Sequence, residues 1–252
     1  MTNKLKYFVG NWKMFGDFSS LKIIYRINNF CSKFKKSGKE NKIIFCIPNT
    51  LIHFFTTKLK SKFISIGAQN CHHHKTYGPF TGSVNASMIK KIGAKYIILG
   101  HSENRTEGDT NLMIKKKIES ALNQKLNVIF CIGETFKEKA KNKTFSILRK
   151  QIKASISKKY NLSKIILAYE PVWSIGTGKI PKTKDLEMQV AAIKKMIIKF
   201  WKLKKPKIVY GGSVNPKNIA ELKKISSING FLIGGASQNA KNFIDIIKKT
   251  IN

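Results

Sequence analysis

Glu170 closes the apolar run Ile165–Tyr169 in a chain that carries 13 acidic residues against 48 basic ones. A carboxylate at the end of such a run, with "PVWSIGTGK" behind it, can be partly desolvated by aromatic and aliphatic neighbours. That raises its basicity toward the range of a general base. The competing reading is a strand-end carboxylate held in a structural hydrogen bond. His101 follows the run "YIILG", where an imidazole can donate an N–H to a developing oxyanion; the competing reading is a histidine satisfied by backbone. Gly211, Gly212 and Ser213 follow one later apolar run, and Gly234 and Gly235 follow the next. Either group alone is an ordinary turn. On successive strands, the two groups expose backbone N–H donors to one place and let a phosphate ester approach closely.

Such residues need a frame that gathers strand ends. Short apolar runs rich in β-branched and aromatic residues occur at 7–10, 43–47, 64–68, 96–100, 128–132, 165–169, 207–210 and 230–233. Lysine-rich segments between them, such as 112–122 and 186–200, place apolar residues three and four apart. Strands apolar on both faces and joined by helical crossovers predict an α/β fold with a parallel sheet covered by helices. Eight such units over 1–252 predict one (β/α)8 barrel domain with outer helices; an open doubly wound sheet is the alternative. In a barrel the chemistry lies at the carboxyl ends of the strands. There the chain has Asn11, Lys13, Gln69, Asn70, His101, Glu103 and Glu170.

A formal net charge of +35 raises nucleic acid or an anionic membrane as a partner. Only Arg26, Arg105 and Arg149 are arginine, whereas nucleic-acid readers favour the planar guanidinium fork. The lysines also spread over nearly every helical segment instead of forming one block. No specific nucleic-acid partner is expected, and the electrostatic binding that remains is weak and salt dependent. The start of the chain has no apolar stretch of signal-peptide length, and no window approaches the roughly 18 consecutive apolar residues of a membrane span. Cys31, Cys46, Cys71 and Cys131 are too scattered for a disulfide framework or a zinc site. A soluble, cytoplasmic protein with four free thiols is expected. The run Cys71-His72-His73-His74 is the one metal-like feature. Adjacent histidines in a long loop cannot all face one ion, so no metal is expected.

Six segments resemble, in order, the motif set of the triosephosphate isomerase family: "GNWKM" at 10–14, "GHSENR" at 100–105, "CIGET" at 131–135, "AYEPVWSIGTGK" at 168–179, "YGGSV" at 210–214 and "IGGAS" at 233–237. The resemblance runs from near the first residue to near the last. It implies an aldose–ketose isomerase of glycolysis and gluconeogenesis, free of cofactor and metal, that interconverts dihydroxyacetone phosphate and glyceraldehyde 3-phosphate through an enediolate. Glu170 would then be the base and a neutral His101 the electrophile. Lys13 would put positive charge near phosphate and enediolate, Asn11 would orient the carbonyl side, and Glu103 would hold Lys13 or pass protons. Asn11, Lys13, Gly176, Ser213, Gly234 and Gly235 would bind the phosphate. The segment after Glu170 resembles a lid with a first hinge of Pro171, Val172 and Trp173 and a second from Lys179 to Pro181. Ser174, Ile175, Gly176, Thr177 and Gly178 would span it, with Tyr210 and Ser213 latching its closed form. Another phosphate-binding barrel isomerase is the alternative, one that would lack the linked "GNWK", "GHSE" and "AYEPVW" groups.

The resemblance also implies a homodimer, in which loop 70–82, opened by Asn70 and closed by Gly82, brings Thr81 near the neighbour's Asn11. Two charges usual in the family are absent: glutamate where Ser83 stands and arginine where Asn104 stands. Losing both avoids a single buried, unpaired charge but removes a source of specificity. An acidic residue usual at Ser227 and its arginine partner, aligned with Lys194, are absent in the same way. Ser174 replaces alanine, and Pro181 replaces a small residue and fixes φ at the second hinge. With +35 on each subunit, the expected dimer is weak and salt sensitive.

Overall fold

A computed structural model describes residues 6–33 and 41–251. The first five residues, part of the segment read as lacking a signal peptide, lie outside the described residues, as do 34–40 and Asn252. The strands are β1 (Lys6–Asn11), β2 (Asn41–Cys46), β3 (Ile64–Ala68), β4 (Tyr96–Leu99), β5 (Asn127–Ile132), β6 (Ile165–Tyr169), β7 (Lys207–Tyr210) and β8 (Gly230–Ile233). Each pairs in parallel with the next, and β8 returns to β1 to close the barrel. The open doubly wound alternative is excluded. β3, β6, β7 and β8 have their expected bounds. β1, β2 and β5 start earlier, because Lys6, Asn41 and Asn127 pair through backbone without an apolar side chain to signal it; β1 also runs on to Asn11, and β2 stops at Cys46, one residue short of Ile47. β4 stops at Leu99 because Gly100 has φ +74, outside extended geometry.

The strands are wrapped by α1 (Leu21–Lys33), α2 (Asn49–Lys58), α3 (Ala86–Lys91), α4 (Ser102–Thr106), α5 (Asn111–Asn123), α6 (Phe136–Ala140), α7 (Thr144–Ser155), α8 (Thr183–Trp201), α9 (Ile219–Leu222) and α10 (Ala240–Ile251). The patterns at 112–122 and 186–200 are α5 and α8. α5 buries Ile114, Ile118 and Ala121, and α8 buries Leu186, Val190, Ile193 and Ile197, the apolar stripe of a helix laid on a sheet. α5 also buries Lys117. Its ammonium reaches the Asp109 carboxylate at 2.6 and 2.7 Å and Asn70 Oδ1 at 3.0 Å, tying the helix to the base of loop 70–82.

Alternation along each strand sorts side chains between two layers. Val9, Cys131, Ala168, Val209 and Leu232 belong to the small buried cluster on the barrel axis. Phe8, Phe130, Leu167 and Phe231 belong to the larger one between strands and helices. The same alternation fixes what reaches the mouth. Two residues beyond Val9, Ala168, Val209 and Leu232 come Asn11, Glu170, Gly211 and Gly234, so all four positions face the axis at the carboxyl end.

Candidate active site

Glu170 is 4% exposed. Its N–H donates to Ile132 O at 2.8 Å, which extends the β5–β6 pairing one residue past the strand and continues the inward series Ile166, Ala168. Gly211 makes room for it: a Cβ there would lie 2.5 Å from Glu170 Cγ, too close for any L side chain. Burial raises the Glu170 carboxyl above the usual range, while His101, the Cys131 thiol and Lys13 pull the other way without reversing it. Oε2 is buried and has no hydrogen-bond partner among the described residues. A desolvated, under-satisfied carboxylate is a stronger base than one in water.

His101 caps α4, its Nδ1 accepting the N–H of Glu103 at 3.3 Å. A ring nitrogen that accepts carries no proton, so the hydrogen of the neutral ring is on Nε2, 3.7 Å from Glu170 Oε1. The Glu103 carboxylate comes within 3.5 Å of Nδ1, but its other oxygen holds Lys13 Nζ at 2.5 Å. Lys13 itself has φ +56, a conformation that non-glycine residues keep only when neighbours enforce it. Asn11 Oδ1 accepts the Lys13 N–H at 3.1 Å, and Gln69 Nε2 donates to Lys13 O at 3.0 Å and to Cys46 O at 3.1 Å.

The segment after Glu170 begins as a 3-10 turn, Val172–Ser174. Trp173 Nε1 donates to Glu134 Oε1 at 3.1 Å, the Lys139 ammonium lies 3.7 Å from the centre of its ring, and Tyr169 OH donates to the same carboxylate at 3.2 Å. At the other side, Gly178 N donates to Ser213 Oγ at 3.0 Å, and Ser213 Oγ donates to Ser174 O at 2.7 Å. Tyr210 OH lies 3.0 Å from Ser174 Oγ.

A cavity of about 420 Å³ is walled by Asn11, Lys13, His101 and Glu170, by Ile175, Gly176 and Gly178 of the lid-like segment, and by Gly211–Ser213, Gly234 and Gly235. Every expected catalytic and phosphate-binding residue except Glu103 borders it. Glu103 lies in an adjoining hollow of about 330 Å³ that shares Asn11, Lys13 and His101. One carboxylate, one imidazole N–H, one ammonium and a group of glycines around a small cavity can shuttle a proton on a compact phosphorylated substrate. Thr81 is exposed and lines neither hollow. The His72 and His74 rings pack at a tilt against Phe80, with ring centres 4.5 and 4.7 Å away, and among the described residues no group of three or more His, Cys, Asp or Glu could hold a metal. All four cysteines are free thiols.

Sequence reading did not single out the supporting roles of Gln69, Cys131, Glu134 or Lys139. For Glu134 a signal existed, since a carboxylate two residues past an apolar strand is rare in so basic a chain. The others act on partners from different strands, which no local pattern announces.

Residues 6–250 match the family model for triosephosphate isomerase. The triosephosphate isomerase of Dictyoglomus thermophilum is 38% identical over 252 residues, covering 96% of this chain and 98% of that protein. That of Bradyrhizobium diazoefficiens is 36% identical over 253 residues, covering 98% and 99%. The crystal structure of triosephosphate isomerase from Bartonella henselae superposes with a TM-score of 0.88 at 33% identity, covering 98% of this chain and 99% of that one. With the closed barrel and the residues at its mouth, matches of this extent lead to one conclusion: the chain belongs to the triosephosphate isomerase family.

Proposed function

We propose that Glu170, His101 and Lys13 divide between them the interconversion of dihydroxyacetone phosphate and glyceraldehyde 3-phosphate, the reaction of this family in glycolysis and gluconeogenesis. The observation that carries the reading is the single cavity bordered by all three. The Glu170 carboxylate takes a proton from C1 of dihydroxyacetone phosphate, and the C–H electrons become the C1–C2 double bond of an enediolate. His101 Nε2–H hydrogen-bonds the carbonyl oxygen as negative charge grows on it. The Lys13 ammonium offsets that charge, and Asn11 orients the carbonyl side. His101 Nε2 gives its proton to the C2 oxygen and takes the hydroxyl proton from the C1 oxygen, and Glu170 returns its proton to C2, leaving an aldehyde at C1 and a hydroxyl at C2. Glu103 holds Lys13 in place.

The phosphate is taken by Lys13, Asn11 and Ser213 and by backbone N–H groups of Gly176, Gly234 and Gly235. The segment from Pro171 to Lys179 is the lid, latched by Ser213 and Tyr210; lowered, it excludes water and keeps the enediolate from losing phosphate. No cofactor or metal is needed for these steps. The chain acts as a cytoplasmic homodimer through loop 70–82, with Thr81 reaching the neighbour's Asn11. In support, Met14 is fully exposed and Tyr77 63% exposed. Among the described residues, no helix is long and apolar enough to cross a membrane.

A coupled assay with each triose phosphate tests the reading, run on the parent and on His101→Gln. Turnover in both directions is expected, with kcat down about 100-fold or more in the variant, the usual effect of removing an oxyanion donor. Absence of turnover by the parent would contradict it.

A further inference from the structure

Ser174 directly follows the first hinge and is wholly buried. Its hydroxyl touches two parts of the molecule at once. It donates to Lys179 O at 2.5 Å, where the second hinge begins, and lies 3.0 Å from Tyr210 OH at the end of β7. A serine hydroxyl has one hydrogen and a carbonyl only accepts, so Tyr210 is the donor in the second bond. Burial pushes the Tyr210 phenol up to about 12, and it keeps that hydrogen at neutral pH. The Ser174 carbonyl is held as well, by the Ser213 hydroxyl that also accepts the Gly178 N–H. Pro181, buried in the second hinge, has no N–H to offer. The tie shown between that hinge and β7 therefore runs through the Lys179 carbonyl and the Ser174 hydroxyl.

We propose that the Ser174 hydroxyl is a positioning residue for the isomerisation: it clasps the two hinges to each other and to Tyr210, and so sets the fraction of time the lid is lowered. The inference rests on the lid reading above. Without the hydroxyl, the buried Tyr210 O–H and the Lys179 carbonyl lose their shared partner, and the lowered lid loses stability relative to the raised one. Phosphate held under a lowered lid then binds more weakly, in proportion to the lost population.

The test uses inorganic phosphate as the probe on the parent, Ser174→Ala, Tyr210→Phe and the double variant, each labelled with 5-fluorotryptophan. Fluorine NMR of Trp173, assigned with Trp173→Phe, reports the hinge, and thermal melts report the fold. Ser174→Ala is expected to raise the Kd for phosphate and the KM about five- to tenfold, to move the phosphate-free Trp173 signal away from its phosphate-bound position, and to leave Tm nearly unchanged. The double variant should bind phosphate no worse than Ser174→Ala, because both changes break one clasp. A parent whose Trp173 signal ignores phosphate overturns the lid reading and this inference together. A parent that responds, with Ser174→Ala responding at the same phosphate concentrations, overturns this inference alone. Should Ser174→Ala fold poorly, Tyr210→Phe decides: a raised Kd supports the clasp and a parental Kd overturns it.

Discussion

Glu170 is harder to ionise in the folded barrel than in the unfolded chain, because burial raises its carboxyl above the usual range. A carboxyl with a raised folded pKa favours the folded state only while protonated. Its destabilising effect is absent below the unfolded value, grows as pH rises between the two values, and is complete above the folded one. Glu170→Gln is therefore expected to raise Tm at about pH 8, with the gain vanishing toward pH 4. Thermal melts across that range test this, and a gain independent of pH would contradict it. Gly211→Ala addresses the same side chain from the other direction. Its Cβ would sit 2.5 Å from Glu170 Cγ, so the carboxylate must shift, and misplacement of that kind costs about 100-fold in rate. Steady-state kinetics should show kcat falling by about that factor; a parental kcat would mean the two groups do not compete for space. Glu170, His101 and the glycines were readable in the sequence because each stands where an apolar run stops. Cys131 and Gln69 were not assigned their supporting roles, because these rest on contacts between strands.

At the scale of elements, the apolar runs located all eight strands, and the boundaries failed where backbone pairing continues without apolar side chains, as at Asn41 and Asn127. The stripe on α5 was readable too, but not that it buries Lys117, since one lysine among so many carries no local signal. Its ammonium sits against the Asp109 carboxylate with both side chains 6–7% exposed. Removing one partner of a buried pair leaves a charge without compensation, at a cost of about 3–5 kcal/mol. Urea unfolding of Lys117→Met should show a loss of that size. An unchanged midpoint would mean that Asp109 finds water or another cation.

At the scale of the whole molecule, eight βα units were enough to infer closure, because crossover connections in parallel sheets leave few topologies. Assembly is a different matter, since it depends on a second surface. In the proposed dimer, Ser83 and Asn104 stand where the family resemblance implies a charge pair, and +35 on each copy would add repulsion that salt screens. Sedimentation is expected to show dissociation at low salt and association at moderate salt; a dimer that persists at nanomolar concentration in low salt would contradict this. The claim on which the rest depends is that Glu170 carries the proton between the two carbons. Incubation of dihydroxyacetone phosphate in heavy water with the parent or Glu170→Gln, followed by proton NMR, reads deuterium entry at C1 and isomerisation together. The parent should show both, and the variant should lose both by about a thousandfold; exchange at the parental rate in Glu170→Gln would show that another group is the base.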